Sequence, residues 1–129
     1  ITKVSDVKDI VHVGVKNPRE AFPQIKKLAE SHDWKEREVA ATVLVEISKK
    51  RADEIVDEIL RWVYERDANV RRAAVEGLRD MARKQPEKLV PVLERAKTDE
   101  NLYVRKSVAN VLRNAARVLV ILQSVAVSC

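Results

Sequence analysis

Shifted against itself by 34 positions, the chain aligns "NVRRAAVEGLRDMARK" at 69–84 with the segment running through "NLYVRKSVANVLRNAAR" at 101–117, without a gap. Val70 falls on Val104, Arg71 on Arg105, Arg72 on Lys106, Leu78 on Leu112, Arg79 on Arg113 and Arg83 on Arg117. A further shift backward brings in "WKEREVAATVLVEISKK", where Arg37 meets Arg71, Ala40 meets Ala74, Leu44 meets Leu78 and Ile47 meets Met81. The intervening segments repeat as well: Ile25, Ile59 and Leu93 share one position, and Pro18, Ala52 and Pro86 another. A period of this kind narrows the fold sharply. Each unit is too small to bury its own apolar face and must stack on copies of itself.

Each unit reads as two helices. The first starts near Pro18, Ala52 or Pro86, where proline's missing N–H would be unpaired anyway. Pro23 and Pro91 are expected to kink or shorten that helix. The second follows a polar turn: "HDWKE", "RDANV" or "DENLYV". Asp33 with Glu36 reads as a capping box, and Asn69 and Asn101 as N-caps. Apolar residues then recur at helical spacing: Val70, Ala74, Gly77, Leu78 and Met81, followed by Val104, Val108, Val111, Leu112 and Ala115. The expectation is an all-α solenoid of antiparallel helix pairs, with Leu44, Leu78 and Leu112 buried at equivalent places. Residues 1–129 form one domain: a partial leading unit at 1–17, units at about 18–51, 52–85 and 86–119, and a partial trailing helix at 120–129.

Composition agrees with a folded, soluble, helix-rich chain: 46% of residues are apolar and 35% charged. The only cysteine is Cys129, which excludes a disulfide framework and a cysteine-based metal site; a reducing cytoplasm is the expected compartment. His12 and His32 have no metal-ligand spacing with other candidates. Without a phosphate loop, nucleophile elbow or zinc motif, neither a metal nor a cofactor is expected. No signal peptide is visible. The tail "VLVILQSVAVSC" at 118–129 is too short and interrupted to span a bilayer. Its apolar run, where a repeat array would carry a polar cap, predicts a homo-oligomer joined through 118–129, with Val120, Ile121 and Val125 among the contacts. Folding back onto Leu93 and Leu112 is the alternative. The chain starts at Ile1 and stops about when a fourth unit begins, a pattern that fits either a relative of such repeat proteins or a fragment of one.

The net charge of +5 is unevenly placed. Residues 1–66 hold 13 basic and 13 acidic side chains, whereas residues 67–118 hold 12 basic and 7 acidic ones. At about 100° per residue, Arg79 and Arg83 lie roughly 20° to either side of Arg72, opposite the core positions Val70, Ala74 and Met81. Lys106, Arg113 and Arg117 repeat the stripe one unit later. The corresponding residues of the first unit are Glu38, Val45 and Lys49, so the basic surface fades toward the N-terminus. Such rows suit phosphate, because a guanidinium fork matches its oxygens and each neutralised phosphate releases counterions. A groove of this sign also suits an acidic protein partner. Arg37, Arg71 and Arg105 lie off the stripe and are expected to pair with Asp33, Asp67 or Asp99. Glu76 and Asp80 read as intrahelical partners of Arg72, Arg79 and Arg83, with Glu76 the weak catalytic candidate. Trp34, Trp62, Tyr64 and Tyr103, near the repeat turns, are expected to act as packing caps.

The pattern Asp33…Arg37, Asp67…Val70-Arg71 and Asp99…Val104-Arg105, each followed by small residues and a leucine, resembles the HEAT repeat. The Trp, Gly-Tyr and Ala signature of tetratricopeptide repeats is absent. More narrowly, "DWKEREVAATVL", "VRRAAVEGLRDMARKQPEKLVPVLERAKTDE" and "LYVRKSVANVLRNAAR" resemble the HEAT-like DNA alkylation repair family, the alkylpurine DNA glycosylases and their relatives, over about residues 33–117. The resemblance implies a basic concave surface that holds duplex DNA, with contacts from Arg72, Arg79, Lys106 and Arg113. It also implies aromatic and carboxylate residues that assist loss of an alkylated base, which supports Glu76 weakly. The chain alone is expected to show little or no glycosylase activity. A protein-interaction scaffold of the HEAT type, without DNA binding or catalysis, is the alternative.

Overall fold

The computed structural model describes the backbone of residues 4–128 and the side chains of residues 7–116. Within them lie eight α-helices, one short 3-10 segment and no strand. Helix α1 (Val4–Lys16) forms the leading unit. Helices α2 (Pro18–Ala29) and α3 (Trp34–Ser48) make the first full pair. In the second pair, α4 (Ala52–Trp62) precedes α5 (Ala68–Glu76), which continues after a turn as α6 (Met81–Lys84). The third opens with a 3-10 segment (Pro86–Leu89) and α7 (Val90–Ala96), and closes with α8 (Leu102–Ser128). Each second helix packs on the next: α3 against α5, and α5 and α6 against α8. This is the all-α helical-repeat architecture that the period dictates.

The repeat is visible in what is buried. Ile47, Met81 and Ala115 share one register position, and Ala40, Ala74 and Val108 another; all six lie in one continuous core. Leu44 and Leu78 are fully buried, but Leu112 is 46% exposed. The expected equivalence therefore fails at its third member. Leu78 lies where α8 covers α5 and α6, whereas no described element packs on the far side of α8. Its neighbour Val111 faces the core instead. Helix α8 also runs unbroken to Ser128, without a turn setting off 120–129 as a separate helix. The side chains of Arg117, Val120, Ile121 and Val125 lie outside the described residues.

Local signals account for the helix ends. Asp33 caps α3 by accepting the Lys35 N–H at 2.9 Å. Glu36 does not complete a box, because the Asp33 N–H goes to the Ser31 hydroxyl. In the second unit the cap is Asp67, not Asn69: its carboxylate accepts the Asn69 N–H at 2.8 Å. Asp67 stands in register with Asp33 and with Asn101, whose side-chain oxygen accepts the Tyr103 N–H at 2.8 Å. Pro23 sits inside α2 without ending it. Pro91 falls in the first turn of α7, which is only seven residues long, consistent with the donor that proline lacks. Gly77 ends α5 where the backbone approaches α3; a Cβ there would meet the Leu44 Cβ at 2.9 Å. Val111 occupies the same register position in α8, which continues through it.

Three arginines stitch the turn edge. Arg37 donates to the Ser31 carbonyl at 2.9 Å, Arg71 to those of Glu65 and Arg66 at 2.8 Å, and Arg105 to that of Asp99 at 2.6 Å. Residues 31, 65 and 99 are themselves one period apart. Arg71 goes further, gripping both Asp99 carboxylate oxygens at 2.7 and 3.1 Å across to the next unit. Arg37 and Arg105 thus bind turn carbonyls rather than carboxylates, while Asp33 and Asp67 accept helix-start N–H groups. Burial alone would raise Asp99, but the Arg71 hydrogen bond, the Asn101 N–H and the nearby Arg71 and Arg95 charges hold it below its ordinary value.

Candidate nucleic-acid interface

The second helices α3, α5–α6 and α8 stack side by side and present one polar ridge. Register fixes its composition: Glu38, Arg72 and Lys106 share one position, and Val45, Arg79 and Arg113 another. Between α3 and α5 runs an open groove of about 160 Å³, with Trp34, Glu38, Asn69, Arg72 and Glu76 among its walls. Trp34 stands 64% exposed at its rim, with the Lys35 ammonium 6.0 Å from its ring.

The expected stripe divides into two parts. Arg79 bonds Glu38 on α3 at 3.1 Å and lies 3.6 Å from Glu76. Arg83 pairs with Asp80 at 3.1 Å, and Lys84 reaches the same carboxylate. Asp80 is nearly buried in the turn after Gly77. Burial alone would raise it, but the hydrogen bonds and charges of Lys84 and Arg83 hold it below its ordinary value. Arg72, Lys106 and Arg113 meet no carboxylate within salt-bridge distance among the described residues. Arg72 and Lys106, from different helices, instead approach the same Tyr103 ring, at 5.2 and 5.5 Å from its centre. Arg113 donates a long bond to Asn110 at 3.4 Å.

Glu76 is half-buried between Arg79 and Asn110, whose amide donates to it at 3.5 Å. Its contacts are those of an ion-pair partner. Of the four turn aromatics, only Trp62 packs as expected: it is buried, edge-on to Phe22 at 6.4 Å, and donates to Glu58. Trp34, Tyr64 and Tyr103 are exposed, the last by 55%. Tyr64 lies 4.4 Å from the Arg95 guanidinium. Two features escape a helix-by-helix reading of the sequence: the Glu38–Arg79 bridge and the gathering of two cations at Tyr103. Both span different helices. The register pairing of Glu38 with Arg72 was the available hint. No group of His, Cys, Asp and Glu that could hold a metal occurs among the described residues. No described helix is long and apolar enough to cross a membrane.

Stacked antiparallel helix pairs with an arginine-stitched turn edge define a helical-repeat protein. Comparison with protein families is specific about which kind. A family model described as HEAT repeats matches residues 22–113, and the chain belongs to that family. No curated protein and no solved structure matches it.

Proposed function

We propose that this HEAT-repeat chain is a nucleic-acid-binding relative of the DNA alkylation repair proteins, holding duplex DNA through its ridge. The observation that carries the reading is the set Arg72, Lys106 and Arg113: three cations from two adjacent repeats, on one face, with no carboxylate partner among the described residues. Arg79 and Arg83 flank them and exchange their carboxylates for phosphates when DNA docks. Phosphate contacts of this kind position a duplex without reading its sequence. The proposed setting is the cytoplasm.

The test is duplex binding over a salt series. Affinity should fall steeply with salt, and replacing Arg72, Lys106 and Arg113 by Ala should flatten the slope by about one for each phosphate no longer neutralised. Glu76, held by Arg79 and Asn110, is not assigned a catalytic role. Release of free alkylpurine from alkylated DNA, abolished in Glu76→Gln, would overturn that assignment.

A second reading, a scaffold for an acidic protein, draws on the protein interactions that HEAT repeats commonly mediate and on the mixed charges around Glu38, Arg79 and Glu76. Duplex binding that is absent at low salt, or indifferent to the triple replacement, would transfer the ridge to that partner.

A further inference from the structure

Two cations from neighbouring repeats converge on one exposed ring. Arg72 comes from α5, and Lys106 stands one turn beyond Tyr103 on α8. Each lies within 5.5 Å of the ring centre. Like charges at a shared ring repel, and the attraction of an exposed aromatic face is weak compensation. An anion that engages both would relieve the repulsion. Asn101 fixes the backbone from which the ring projects, by accepting the Tyr103 N–H in the first turn of α8.

The arrangement occurs once among the described repeats. Positions equivalent to Tyr103 carry Asn69 and Lys35, and the position equivalent to Arg72 in the first unit carries Glu38. Among these units, the step from α5 to α8 alone combines two cations with an aromatic platform. Long basic side chains ordinarily lose rotamer freedom on binding, so holding them beforehand favours association.

We propose that Tyr103 is a positioning residue that gathers Arg72 and Lys106 into a single anchor for one phosphodiester group of bound nucleic acid. The proposal rests on the duplex-binding reading and deepens it, by placing one phosphate at a defined point between two repeats. Tyr103 acts through the two cations rather than by stacking on a base.

A double-mutant cycle separates these roles. Duplex affinity is measured at low salt for the parent, Tyr103→Ala, Tyr103→Phe, the Arg72→Ala/Lys106→Ala pair, and that pair combined with Tyr103→Ala. Tyr103→Ala should weaken binding about fivefold, since it removes the ring that holds both cations. Tyr103→Phe keeps the ring and should bind like the parent. In the background lacking both cations, Tyr103→Ala should have no further effect. A weakening that persists in that background would overturn the proposal in favour of direct stacking, and so would a Tyr103→Ala variant that binds normally. A second readout is independent of DNA. Ring currents should shift the Arg72 Hδ and Lys106 Hε protons upfield in the free protein, and Tyr103→Ala should abolish the shifts. Failure of the parent to bind duplex would sink the underlying reading, while absent ring-current shifts would overturn the gathering itself.

Discussion

Arg71 and Arg72 are adjacent on α5 and use their charge in opposite ways. Arg71 is 8% exposed, grips the Asp99 carboxylate with two bonds and satisfies two turn carbonyls. Arg72 reaches an aromatic ring at the surface and meets no carboxylate among the described residues. The turn edge therefore holds repeats together, and the ridge is left able to receive something else. Composition alone counts both residues equally toward the net charge of +5. Only position separates the internal arginines from the available ones.

The sharpest way to break this contrast is to remove each arginine in turn. Arg71→Ala leaves the Asp99 carboxylate buried without its partner, with side-chain exposures of 10% and 9% for the pair. A loss of about 3–5 kcal/mol is expected, as for other buried pairs broken on one side. Arg72→Ala should change stability by less than about 0.5 kcal/mol. Urea denaturation of both variants measures the difference. Equal effects would mean that the two edges do not divide labour as described. The core offers a matched control: Leu78→Ala should cost about 2–5 kcal/mol, and Leu112→Ala, at a half-exposed site, much less.

A smaller effect is expected from acid. Asp99 and Asp80 are held below their ordinary carboxylate values in the folded chain. The unfolded chain therefore takes up protons first as pH falls. Stabilisation from these groups is fully present above the ordinary carboxylate value and is lost as pH drops through the lowered folded values. Denaturation midpoints measured from neutral pH downward should decline in that acidic window. Asp99→Asn should be less stable at neutral pH and show a shallower decline. An unchanged decline would place the acid sensitivity elsewhere.

The repeat was legible because burial recurs with it. Ile47, Met81 and Ala115 are all core residues, and any window containing two of them predicts the third. Leu112 misled because burial at its register position, seen at Leu44 and Leu78, comes from a contact between units and not from the helix itself. Asn69 misled for a local reason: "RDANV" contains two good caps, and the helix starts at the one in register with Asp33. The ridge was legible as a row of cations but not as a circuit. A helical projection treats each helix alone, whereas Glu38 and Arg79 lie 41 residues apart and meet only after α3 and α5 stack. Tyr103 was hidden similarly, since near a turn it looks like a cap until α5 brings Arg72 to it.

The smallest expected effect tests whether Arg79 belongs to the ridge or to the repeat contacts. Its bond to Glu38 joins groups with side-chain exposures of 29% and 53%. Exposed pairs contribute only about 0–1 kcal/mol, so Glu38→Gln should leave the denaturation midpoint nearly unchanged. It would, however, remove a negative charge in register with Arg72 and loosen the hold on the Arg79 Nη1, because a neutral amide oxygen accepts more weakly than a carboxylate; the same nitrogen keeps its longer contact to Glu76 at 3.6 Å. Under the duplex reading, affinity should rise about two- to threefold and the salt slope should steepen by a fraction of one phosphate. The gain should shrink when Arg79 is also Ala, since the larger part of it depends on that guanidinium turning outward. If Glu38→Gln binds no more tightly, or if its gain survives undiminished without Arg79, the bridge is a strut between α3 and α5. Binding then rests with Arg72, Lys106 and Arg113, and the boundary between the holding and receiving arginines moves one residue row across the ridge.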